Sequence, residues 1–117
     1  MNSMERGNME LKAETIQKII ELTNEVYTPS MKATTADRFK KKRLTEYIQD
    51  LPQKERAELV AVMWLGRGDG GETVEDWKGL VEKAFEEKAY DDIEYIVNKQ
   101  PLAKYLSDGL RKLNART

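Results

Sequence analysis

Cysteine and histidine are both absent from this chain of 117 residues. Their absence excludes a disulfide framework, a zinc-thiolate site, a cysteine nucleophile, an imidazole base and a histidine metal ligand. No apolar run approaches the ~20 residues that cross a bilayer, and no secretory leader with a cleavage site opens the chain. The expectation is therefore a cytoplasmic protein with no membrane partner. Proline occurs only three times, at Pro29, Pro52 and Pro101. What the chain does have is charge: 35% of its residues are charged and 39% hydrophobic, with a formal net charge of −1. Its length fits one compact domain, which we expect over 9–117, with residues 1–8 disordered because they carry no periodic pattern.

The prolines stand where one helical pattern gives way to the next. From about Met9 to Tyr27, Ile16, Ile19, Ile20, Thr23 and Val26 recur at the three-and-four spacing of one helix face. Thr28 to Thr35 reads as a linker. A second helix starts near Asp37, carries Phe39, Leu44, Tyr47, Ile48 and Leu51, and ends before Pro52, which pushes its predecessor away from helical angles. Pro52 suits the start of a third helix, where its missing N–H has no intrahelical partner. That helix has a polar beginning, Gln53 to Glu58, and then seven consecutive apolar residues from Leu59 to Leu65. Apolar residues on every side of a helix predict a central element covered all round.

Gly66-Arg67-Gly68-Asp69-Gly70-Gly71 is expected to stop it as a glycine-capped turn. Thr73 with Asp76 forms a capping-box pattern for a fourth helix bearing Val74, Trp77, Leu80, Val81, Ala84 and Phe85. A short helix with Ile93, Ile96 and Val97 follows the Tyr90-Asp91-Asp92 interruption, and Pro101 opens a last helix with Leu102, Tyr105, Leu106, Leu110 and Leu113 on one face. No stretch alternates apolar and polar residues. The fold class is all-α: a single compact domain of five or six short helices around a central apolar helix at about 52–65.

The residues Glu46-Tyr47-Ile48-Gln49-Asp50-Leu51, Leu59 through Asp69, and Pro101-Leu102-Ala103-Lys104-Tyr105-Leu106 carry a resemblance. The chain resembles a small bacterial family known only as a domain of unknown function, with an L-V-A-x-M-W-L-G-R-G-D block, a tryptophan helix and a P-L-L-A-D-Y-L-type C-terminal helix. It departs from that pattern at Lys104, where an acid is usual, and at Gly70-Gly71. The resemblance implies a bacterial cytoplasmic helical domain and brings no activity with it.

Three constellations could carry chemistry. Glu55 with Glu58, and Glu72 with Glu75, form two E-x-x-E pairs. Carboxylates three apart share a helix face, and four together can hold Mg²⁺ through oxygen alone. The layout is similar to that of all-α nucleotide pyrophosphohydrolases, whose second pair ends in aspartate rather than glutamate. Arg38, Lys40, Lys41, Lys42 and Arg43 place five cations in six residues, able to meet phosphates. Neighbouring cations on a helix point in different directions, however, and the segment Leu80–Glu94, where a recognition helix would fall, is acidic. The glycine turn, with Arg67 and Asp69, is a conspicuous loop of the kind that binds partners.

Charge is also polarised. Met31–Arg56 holds eight basic and four acidic residues, and Asp69–Glu94 three basic and ten acidic. The reading that accounts for these features is a non-enzymatic interaction domain with no cofactor, binding an unknown protein or pairing as a homodimer. Its candidate surface is Arg67, Asp69, Arg38, Lys40, Lys41, Lys42 and Arg43. The alternative is a Mg-dependent phosphohydrolase using Glu55, Glu58, Glu72 and Glu75, and a weak nucleic-acid binder through Lys40–Arg43 ranks third.

Overall fold

The computed structural model describes residues 10–26, 35–68, 73–98 and 101–115. Six α-helices run through them: α1 (Ala13–Val26), α2 (Thr35–Gln49), α3 (Gln53–Arg67), α4 (Trp77–Glu86), α5 (Ile93–Asn98) and α6 (Leu102–Ala115). Single 3-10 turns at Val74–Asp76 and Ala89–Asp91 precede α4 and α5. Among the described residues there is no strand. Residues 1–9 and 27–34 lie outside them, so the expected disorder of 1–8 and most of the expected Thr28–Thr35 linker fall outside the described residues, while Thr35 itself begins α2.

Helix α3 is the centre. Every residue from Ala57 to Leu65 is buried, more than two full turns with no solvent-facing side. Pro52 occupies the N-cap position with extended angles, and its carbonyl accepts the Arg56 N–H. Around α3 pack α6, its most extensive partner, then α4 and the 3-10 turn at Ala89–Asp91. Helix α1 lies against α2 and α6 and contributes Ile16, Ile19, Ile20 and Leu22 to the common core. Full burial of such side chains is worth about 1.5–3 kcal/mol each.

The contact between α3 and α6 is unusually close. A Cβ added at Gly66 would overlap the Tyr105 carbonyl, and one added at Gly109 would overlap the Val62 carbonyl. Glycine is required where two backbones approach this tightly. Gly66 is therefore a packing residue inside α3 rather than the start of the turn, which corrects the reading of Gly66–Gly71 as one stop signal. The helix ends at Arg67, and its cap is the next residue. There Gly68 adopts left-handed angles (φ 65°) and returns its N–H to the Trp64 carbonyl at 3.1 Å.

Trp64 is 7% exposed and ties three elements together. Its indole N–H donates to the Tyr95 hydroxyl of α5 at 3.0 Å, and the Lys83 ammonium of α4 lies 5.4 Å from its ring centre. About two turns earlier in α3, Arg56 stacks on Tyr90 and pairs with Asp91 at 3.5 Å, while Gln53 donates to the Tyr90 hydroxyl at 2.7 Å. The short elements are capped by local side chains. Asp76 accepts the Thr73 N–H at 2.8 Å, while the Thr73 hydroxyl accepts the Glu75 N–H at 3.3 Å, so the expected Thr73–Asp76 pair forms but heads the 3-10 turn rather than α4, whose own N-cap is Asp76. Asp92 does the same for α5 by accepting the Tyr95 N–H at 2.9 Å.

Candidate functional site

The three sequence constellations land in different surroundings. Of the acids, Glu55 is half-buried at the start of α3, Glu75 is exposed before α4, and Glu72 lies outside the described residues. Glu58 was expected in the polar beginning of α3, yet it is 1% exposed. One turn into the helix, its side chain points into the protein rather than along the solvent face. Both its oxygens accept hydrogen bonds from backbone N–H groups: Glu10 at 3.0 and 3.1 Å, and Leu11 at 2.8 Å. Burial pushes the Glu58 carboxyl above its ordinary value, against the lowering effect of these N–H groups and of nearby Lys54. Among the described residues, no group of three or more acids stands close enough to share a metal ion.

The basic cluster winds around α2. Lys40 and Lys41 are half-buried, while Lys42 and Arg43 are exposed. The side chain of Arg38 lies outside the described residues. Consecutive helical residues are about 100° apart, so Leu44 of the same run turns fully inward. Arg43 meets Glu25 of α1 at 3.8 Å, an exposed pair of little energetic weight.

Beside this pair, a shallow cleft of about 240 Å³ opens between α1 and α2. Its walls are Lys18 and Leu22 from α1 and Arg43, Glu46, Tyr47 and Asp50 from α2. The i, i+3, i+4 spacing of Arg43, Glu46 and Tyr47 sets all three toward α1. The cleft thus combines charges of both signs with an apolar patch made by Leu22 and Tyr47. Sequence reading found Arg43 but missed its neighbours, because Lys18 and Leu22 are separated from it by a linker and meet it only once α1 has docked.

At the glycine turn, Arg67 is half-buried as the last residue of α3, and Asp69 lies outside the described residues. A cation from another helix also reaches the carbonyls at this end of α3. Lys112, from the last turns of α6, donates to the Leu65 carbonyl at 2.8 Å. A cation at the C-terminus of α3 also opposes the partial negative charge there. Nearby on α6, Asp108 is held by Lys104 at 2.7 Å and by Arg111, and these cations, Lys104 foremost, keep its carboxyl below the usual range.

None of the described helices is long and apolar enough to cross a membrane. No curated protein and no solved structure matches the chain. The model of a family described as a protein of unknown function, DUF3775, matches residues 41–115. That span begins inside α2 and runs through α6, taking in α3 and its whole cover apart from α1. With nearly two-thirds of its length inside that match, the chain belongs to the DUF3775 family.

Proposed function

We propose that this chain is a non-enzymatic helical domain of the bacterial cytoplasm that acts by binding another protein. The observation that carries this reading is the cleft between α1 and α2, lined by the exposed cation Arg43, with exposed Lys42 next to it in the chain. Sites for small molecules are enclosed and run to about 300–1,000 Å³. A shallow recess of about 240 Å³ with mixed charges suits a single protruding side chain from a protein partner. Arg and Tyr, which line it as Arg43 and Tyr47, are enriched where proteins meet. The fate of Glu58 adds support, since a carboxylate engaged by two backbone N–H groups is poorly placed to ligate Mg²⁺. The Arg67–Asp69 turn is the second part of the proposed surface.

Affinity capture from the native host, with the wild-type chain beside the Lys42→Glu/Arg43→Glu variant, tests this. A partner held by the wild type and lost by the equally stable variant is the expected result. Identical sets captured by both would overturn it. A rise in melting temperature with Mg²⁺ and a nucleotide would replace it with the phosphohydrolase reading. Capture of nucleic acid that weakens steeply with salt would replace it with the third.

A further inference from the structure

The first described segment, Glu10 through α1, stands apart from the rest of the molecule in two independent ways. It lies outside the family-matched span of residues 41–115, although Leu11, Ile16, Ile19, Ile20 and Leu22 are buried in the shared core. Its mooring is also unlike any other contact among the described residues. Among the described residues, Glu58 is the one charged side chain that is fully buried. All three hydrogen bonds it accepts come from the N–H groups of Glu10 and Leu11.

A buried carboxylate is costly unless its donors are in place, and here the donors belong to the segment that covers it. With α1 docked, Glu58 gives up water for the Glu10 and Leu11 N–H groups. With α1 lifted, the same carboxylate regains water. An apolar residue at this position would favour the closed state alone, whereas a carboxylate is served in both. Burial raises the Glu58 carboxyl despite the N–H groups, which indicates that docking does not fully replace its lost hydration.

We propose that the segment from Glu10 through α1 is a strap that opens without unfolding α3 and α6, with the Glu58 carboxylate as its latch. Lys18 and Leu22 of this strap form one wall of the α1–α2 cleft, so opening dismantles the cleft. That functional consequence rests on the contact surface proposed above. The strap itself stands or falls separately, because its test needs no partner.

Hydrogen exchange of the full chain, read over α1 and over the buried stretches of α3 and α6, is the experiment. Local openings lie below the global unfolding free energy, so α1 amides should exchange at least about 10-fold faster than those of α3. Glu58→Ala removes charge-assisted acceptors and should speed α1 exchange by a further factor of about 10–100, leaving α3 and α6 unchanged. Exchange of α1 in step with α3 in the wild type, or equal acceleration everywhere in the variant, would overturn the strap. If Glu58→Ala does not fold, the wild type in sub-denaturing urea decides. A weaker urea dependence of α1 amides than of α3 amides supports partial opening, and equal dependence refutes it.

Discussion

Helix α3 meets its two most telling neighbours on opposite terms. Against α6 it is joined backbone to backbone, with Gly66 and Gly109 leaving no room for a side chain between the helices. Against the Glu10–Leu11 segment it is joined through a carboxylate whose acceptors are met by two amide groups. The first contact is dry, short-range and intolerant of any added atom. The second keeps a charge in the core and depends on residues 47 and 48 positions away. A protein with one rigid seam and one hydratable seam around the same central helix has a built-in order in which its parts separate.

That contrast can be broken most forcefully at the glycine seam. Gly66→Ala places a methyl group onto the Tyr105 carbonyl, and the helices must part to admit it. Urea unfolding should show a loss of about 3 kcal/mol, felt by the whole domain. Next in size is Lys112→Met, which removes the donor to Leu65 while keeping the apolar stem. Its expected loss is about 1–2 kcal/mol, read in the same way. Smaller and opposite in sign is Gly79→Ala, a control away from both seams. A Cβ there meets nothing within 4 Å, so replacing an exposed helical glycine should raise stability by about 0.5–1 kcal/mol in a thermal melt.

Acid titration gives the finest contrast, because two carboxylates pull against each other. The Glu58 carboxyl lies above the ordinary glutamate value of 4.5, so the folded state takes up its proton more readily than the unfolded chain. Its contribution to stability is complete below pH 4.5 and is lost as pH rises through the higher folded value. Lys54 and Glu10 face this group with opposite effects, the first lowering and the second raising its proton affinity. Asp108 lies below the ordinary aspartate value of 3.8, so its contribution is present above that pH and disappears as pH falls through the lower folded value. Glu58→Gln should remove the acid-side gain and leave the Asp108 loss, which a pH series of urea midpoints would separate.

The legibility of these features in the sequence follows their range. The apolar run Leu59–Leu65 marked α3 as central because burial on all sides leaves no polar face to conceal the pattern. Thr73 with Asp76 was readable as a capping pair because both partners lie within one turn. Glu58 was not, since an acid in a helix's first turns is ordinarily solvated and its donors come from the other end of the fold. The bond of Lys112 to the end of α3 was hidden in the same way, since that residue arrives from α6 across 47 positions. Gly66 misled for a different reason. A glycine near a helix end carries the same local signal whether it caps the helix or admits a neighbour, and only the path of α6 distinguishes the two. Of the candidate site, Arg43 was legible, while the cleft it lines exists only where two helices from either side of a linker come together.

The paired glycines also fix an alignment. Each sits under a carbonyl of the opposite helix, so α6 cannot slide by a turn along α3 without driving a side chain into main chain. They act as a dowel between two rods. With that register set, the ammonium of Lys112 comes to rest at Leu65 rather than a turn above or below it. Two residues without side chains thus decide where a long, flexible one makes its bond.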